Sequence, residues 1–414
     1  MDSRKEKEFK VSVYAIALNE ERFAERWYNC FKEADEVCVL DTGSTDKTVE
    51  ILTRLGAKVT VKKYDKWTCL PELDALVALG RNPWRFDDAR NEAMKLCSKD
   101  STLLFCADMD DVIEPGWRER LRKIWERGKD EGEKTGHEPN CVLYTYSVVY
   151  PTAEGDKRQT FVRHGIHTPD GWVWRNRCHE YLDTTGCAKN FIHAPDFNFE
   201  SRPEKKDHSN YLPLLEADVR DGSADGRSIH LYARELMQNK RYDEAIEWFK
   251  QHLAFKGSNW VYERAASMKF ISDCYAFKGD AERNELWLWK ACAEDPADRD
   301  APYALGRLLG SHKEYKLAQK VLTKCISIKE QHKEYPCFSL EAWTERPYLS
   351  LAECYFYDGL WGQALEYAEQ ALQINPKSKM ARTTVKEIKD FMAQKKPLPP
   401  NEPPKFRIDL PPEG

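Results

Sequence analysis

The chain has 414 residues, 41% apolar and 12% aromatic, which implies two or three packed domains and argues against disorder. Its formal charge of −5 argues against bulk nucleic-acid binding. No run of about 18 apolar residues exists and Met1–Lys10 lacks an apolar stretch, so neither membrane insertion nor a signal peptide is expected.

Val11–Leu18 reads as a first strand ending at Asn19, followed by a helix over Glu20–Phe31 with Phe23, Trp27, Cys30 and Phe31 on one face. Val37–Leu40 is a second strand ending at Asp41. The turn Thr42-Gly43-Ser44-Thr45 precedes a helix near Asp46, with Ser44 or Thr45 as its cap. Ala57–Val61 and Thr102–Ala107 complete four strands, the last ending at Asp108. This alternation predicts a mostly parallel α/β sheet, whose ligands bind beyond the carboxyl ends of the strands. Three strand ends there are polar: Asn19-Glu20, Asp41, and Asp108-Met109-Asp110-Asp111. Asp108 and Asp110, two apart outside a regular strand, can converge on a divalent cation that neutralises a departing phosphate.

The second half is helical and repetitive. From a small residue at Ala233, Gly306 or Ala352, large or small anchors follow at offsets 3, 9, 12 and 16: Leu236, Tyr242, Ala245, Phe249; Leu309, Tyr315, Ala318, Leu322; Tyr355, Trp361, Ala364, Ala368. A degenerate copy contains Ser272, Tyr275, Leu288 and Ala291. Small residues let paired helices approach, and the pattern resembles the tetratricopeptide repeat. The thirteen cysteines include no CxxC pair, the nearest two being Cys30 and Cys38, so zinc-site spacing is absent and reduced thiols in a cytoplasmic protein are expected.

Ala15-Ile16-Ala17-Leu18-Asn19-Glu20, Val39 to Thr48, Phe86-Asp87-Asp88-Ala89-Arg90-Asn91 and Ala107-Asp108-Met109-Asp110-Asp111 occur in order. Together they resemble the motif series of family 2 glycosyltransferases with the GT-A fold. Arg158–Arg163, Cys178-His179-Glu180-Tyr181-Leu182 and Ile192-His193 resemble later elements of the subgroup fused to tetratricopeptide repeats, which includes the S-glycosyltransferases of glycocin peptides. The expected organisation is a GT-A domain over 1–205, a connection over 206–226, a repeat array over 227–392 and a Pro-rich tail over 393–414.

The resemblance implies transfer of a hexose from a UDP-sugar, inverting at the anomeric carbon, with manganese or magnesium as cofactor. It gives Asp41 the nucleotide base, Asn19 and Glu20 the base or ribose, Arg90 the diphosphate, Asp108 the ribose and a metal-bound water, and Asp110 the metal, with His193 as a second ligand. Glu180 or Asp111 would be the catalytic base. Plainer roles stand beside these: Asp41 as a turn cap, Arg90 as a salt-bridged residue, His193 as structural, Asp111 as a turn stabiliser. The adjacent His179 and Glu180 face opposite ways on a strand, so one of them would meet the reaction. Gly171–Arg175 could be an aromatic platform or core. The partly apolar segment 68–83, which replaces a short link of the family, could cover the acceptor entrance, pack on a partner, or simply elaborate the surface. The acceptor is expected to be a peptide or protein held by the repeats, with a surface glycan or a modified nucleobase as alternatives. The composition leaves room for a homodimer. A catalytically inactive scaffold is the competing reading, opposed by the presence of Asp41, Arg90, Asp108 and Asp110.

Overall fold

The computed structural model describes residues 8–64, 84–150, 157–203, 211–329 and 340–394. The expectations for 68–83 and for the Pro-rich tail lie outside the described residues, as does the start of the connection at 206–210. One compact unit ends at Ser228 and a second begins at Ile229.

The first unit begins with strand β1 (Val11–Ala17), helix α1 (Glu21–Phe31), β2 (Glu36–Asp41), α2 (Thr48–Leu55) and β3 (Lys58–Val61). There follow α3 (Phe86–Lys95), β4 (Leu103–Cys106), the short β5 (Asp111–Val112) and α4 (Trp117–Thr135). Then come β6 (Cys141–Tyr150), β7 (Lys157–His167), β8 (Trp172–Arg175), β9 (Tyr181–Thr184), β10 (Phe191–Ser201) and α5 (Tyr211–Arg220). Eight strands form one sheet in the order β3-β2-β1-β4-β7-β6-β10-β5, and β8 pairs with β9 separately.

The expected parallel arrangement holds for β3, β2, β1 and β4. Beyond β4 the sheet is mixed: β7 is antiparallel to both β4 and β6, β10 is parallel to β6, and β5 is antiparallel to β10.

Strands buried on both faces favour apolar residues at nearly every position, which explains the mainly apolar runs of β1, β2 and β4. On one face Val11, Val13, Ala15, Val37 and Val39 pack under Trp27, Phe31 and Leu52. There Phe105 meets Phe31 and Trp117 edge-on at 5.6 Å each, and each such buried side chain stabilises the fold by about 1.5–3 kcal/mol. On the other face Tyr14, Cys38, Leu40, Leu104 and Cys106 lie beneath Ala89 and Ala93 of α3, with Trp172, Trp174 and Leu182.

In the second unit, helices alternate through α6 (Gly226–Gln238), α7 (Tyr242–Ala254), α8 (Val261–Phe277) and α9 (Ala281–Glu294). They continue with α10 (Asp300–Ser311), α11 (Tyr315–Ser327), α12 (Arg346–Tyr357), α13 (Trp361–Ile374) and α14 (Lys379–Gln394). The small residues of the repeat pattern, Ala233, Ala245, Ala318, Ala352, Ala364 and Ala368, are all fully buried. Gly306 shows why they are small: a Cβ there would lie 2.4 Å from Cγ of Leu322 in the partner helix. Among the described residues no helix is long and apolar enough to cross a membrane.

Candidate active site

The carboxyl ends of β1, β2 and β4 form a rim built by side chains that hold its loops. Asp41 ends β2 and is fully buried. Its Oδ1 accepts the backbone N–H groups of Gly43 (2.9 Å) and Ser44 (2.8 Å), and its Oδ2 accepts the Ser44 hydroxyl at 2.5 Å. Asp41 therefore shapes the loop after β2, and in this structure its carboxylate faces Gly43 and Ser44.

Asn19 sits at φ 55, a left-handed conformation that asparagine tolerates best among non-glycine residues. Its Oδ1 accepts Thr45 N–H at 2.8 Å, and its own N–H donates to Ser44 Oγ at 2.8 Å. Glu20 donates its N–H to Thr48 Oγ1 at 2.7 Å. These bonds stitch the end of β1 to the loop after β2. Ser44 and Thr45 are thus occupied by Asp41 and Asn19, and neither caps α2. Asp46 does that work instead, accepting Thr48 N–H at 3.0 Å.

At the tip of β4 the acidic turn is closed from both ends. Asp111 N–H donates to Asp108 O at 2.9 Å, and Asp108 N–H donates to Asp111 Oδ2 at 2.8 Å. Asp111 Oδ1 accepts the Tyr146 hydroxyl at 2.9 Å, and the residue is fully buried. Burial and the neighbouring Asp108 push its carboxyl well above the usual carboxylate range. Asp111 is enclosed, with Oδ2 holding the turn and Oδ1 holding Tyr146, the arrangement of a turn stabiliser. Asp110 is 4% exposed; its Oδ2 accepts the Ser201 hydroxyl at 3.1 Å, and its carbonyl accepts Arg202 N–H and the Arg26 guanidinium.

Arg90 of α3 is the hub. Its Nε donates to Glu180 Oε1 at 2.5 Å, its Nη2 to Asp108 Oδ1 at 2.7 Å, and its Nη1 lies 3.2 Å from Cys106 Sγ. Its guanidinium lies over the Trp174 ring at 5.0 Å. Although burial opposes the charge, Asp108, Cys106 and Glu180 hold the guanidinium protonated far above its ordinary range. Every nitrogen of the fork is engaged and the side chain is 7% exposed, so in this structure Arg90 positions two carboxylates. Arg163 of β7, to which the sequence reading gave no role, sits 3.6 Å from Asp108 Oδ2 and 4.8 Å over the Tyr146 ring. The signal was its place in the Arg158–Arg163 element.

Trp174 is fixed from behind by a chain whose proton positions are determined. Its Nε1–H donates to Tyr14 Oη at 2.9 Å, and Tyr14 Oη lies 2.9 Å from His167 Nε2. His167 Nδ1 lies 2.8 Å from the Thr168 carbonyl, which only accepts. His167 thus carries its proton on Nδ1, and Tyr14 donates to Nε2. Asn91 adds two bonds to the Trp174 backbone. The tryptophans of 171–175 are therefore core, 4% exposed each.

His179 has φ 50, and its ring packs on Tyr211 at 5.0 Å, while Glu180 turns to Arg90. The segment before them is anchored to α5 by the buried Arg177, which pairs with Asp218 and Asp221. Glu180 Oε2 makes no hydrogen bond among the described residues. His193 does not join the site. It is exposed on β10 opposite Leu143, whereas Ser201, which touches Asp110, lies opposite Val148. Five residue steps along β6 between those positions correspond to roughly 16 Å. Ser201, rather than His193, is the β10 residue that touches Asp110.

The carboxyl ends of β1, β2 and β4 thus gather ordered polar turns, with Glu180 reaching Asp108 through Arg90. The profile described as Glycosyl transferase family 2 matches residues 12–135, and that of the tetratricopeptide repeat matches 226–256 and 301–332. Residues 12–135 thus match a family 2 glycosyltransferase domain, and parts of the second unit match the tetratricopeptide repeat. An uncharacterized glycosyltransferase of Rickettsia bellii is 36% identical over 104 residues, 25% of this chain and 35% of that protein. Another, from Rickettsia typhi, is 48% identical over 56 residues, 13% of this chain and 19% of that protein. The chain therefore spans about a third or less of the length of these curated relatives. Among solved structures, the MamA protein is similar at 19% identity and a TM-score of 0.32, over 40% of this chain and 81% of that one.

Proposed function

We propose that the first unit transfers a hexose from a UDP-sugar to a nucleophile on a peptide, protein or other macromolecular acceptor, with inversion. The observation that carries this reading is the bridge through Arg90, which brings Asp108 and Glu180 to one point although 72 residues separate them in the chain. The loops carrying Asn19, Glu20 and Thr42–Thr45 would receive the nucleoside, with Asp41 holding their shape.

The donor set suits a hard divalent cation. Asp110, Asp108 and the Ser201 hydroxyl supply only oxygens, the ligand type that manganese and magnesium take. Asp110 would hold the ion directly and Asp108, already paired with two guanidinium groups, would act at longer range. When bound, such an ion neutralises charge on a leaving diphosphate. Glu180 would accept the acceptor proton at Oε2 while Oε1 stays on Arg90. The repeats would hold the acceptor; their concave faces suit extended peptides.

The test is release of UDP from a panel of UDP-sugars with manganese. Activity should fall at least about 100-fold in Asp110→Ala, consistent with loss of a principal charge stabiliser. No release from any donor by the folded chain would favour the scaffold reading.

A further inference from the structure

At the opposite end of the sheet from the rim, three metal-binding side chains meet. Glu36 and Cys38 are two apart on β2, so both project to the face covered by α3. Cys97 follows the end of α3 and lies over them. One oxygen of Glu36 and the two thiol sulfurs are all within 4.8 Å of one another. Cys38 is fully buried, Cys97 is 8% exposed, and the Glu36 side chain is 8% exposed.

We propose that Glu36, Cys38 and Cys97 form a zinc site that ties β2 to the end of α3, with water as the fourth ligand. Tetrahedral zinc with Zn–S near 2.3 Å and Zn–O near 2.1 Å sets its donors roughly 3.4–3.8 Å apart, so the three atoms need only about 1 Å of adjustment. Two thiolates and one carboxylate favour zinc over manganese or magnesium. The carboxylate is already oriented, as outer partners orient ligands in metal sites. Ser12 Oγ (2.8 Å) and Ser98 N–H (2.7 Å) hold Oε2, while Ser98 Oγ (3.1 Å) and the Lys58 ammonium hold Oε1. Lys58 is 68% exposed and stands where a cation is needed. An incoming ion replaces that ammonium, which then returns to solvent. Both thiols release their protons on binding, and Cys97, pressed against the Cys38 thiol and buried, keeps its proton until then.

The test is titration of the full chain, reduced and stripped of metal, with cobalt(II). A thiolate-to-cobalt charge-transfer band should appear, halve in Cys97→Ser, vanish in the Cys38→Ser/Cys97→Ser pair, and be displaced by one equivalent of zinc. The all-oxygen donor set at Asp110 gives no such band, so this test stands apart from the proposed transferase activity. Glu36→Gln, which preserves packing, should weaken binding at least about tenfold, and Lys58→Met should tighten it a few-fold. A band that persists in the double variant, no band in the folded wild-type chain, or a Cys38–Cys97 disulfide with no ion bound after reduction would each overturn the site.

Discussion

Replacing Arg90 by Met gives the sharpest test of how the rim is built. The substitution keeps the apolar stem over Trp174 but deletes the charge that faces Asp108 at 2.7 Å and Glu180 at 2.5 Å. The Glu180 side chain is 11% exposed and that of Asp108 26%, so Glu180 above all stays poorly hydrated when its partner goes. Removing one member of a buried ion pair typically costs 3–5 kcal/mol, because the remaining charge is uncompensated. Asp108 keeps Arg163 at 3.6 Å, which softens the loss on that side. The expected cost is therefore about 3–4 kcal/mol, read as a lower urea midpoint for the first unit in the full chain. Adding Glu180→Gln to Arg90→Met should recover part of it, about 1–2 kcal/mol, since one orphaned charge is removed. Arg90→Lys should fall between wild type and Met, because one ammonium cannot span both carboxylates as a planar fork does. A loss below about 1 kcal/mol for Arg90→Met, or no recovery in the double variant, would refute the hub.

Two further outcomes follow from single contacts. Burial lowers His167 to about 4, below an unfolded value near 6.5, so the fold favours the neutral ring. This stability is present above about pH 6.5 and is lost as pH falls through about 4, by up to roughly 3 kcal/mol; denaturation midpoints across that window should flatten in His167→Gln. In the repeats, Gly306→Ala forces a methyl to 2.4 Å from Leu322 Cγ and should lower stability by about 1–3 kcal/mol, measured by the melting of the second unit.

Local sequence determined the elements and their class. Apolar runs marked β1, β2 and β4 to within about a residue, because a doubly buried strand is mostly apolar, with Ser12 of β1 the paired polar exception. The repeat offsets marked the paired helices, because small residues recur wherever two helices cross closely. The polar strand ends marked the rim, and the acidic turn after β4 is where the sequence put it.

Which side chain meets which was decided by tertiary structure alone. Asp41 and Arg90 carry the residue types of ligand contacts, yet burial turns the first into a loop clasp and the second into a bridge between carboxylates. His193 and Ser201 share one strand, and only the register of β10 against β6 shows that Ser201 reaches Asp110. Cys38 and Cys97 are 59 residues apart with no motif spacing, and they meet because α3 crosses the face that β2 presents. Periodicity reports which residues face a core, since that depends on neighbours along the chain. The pairing of charges and ligands depends on packing between distant segments, and no local pattern encodes it.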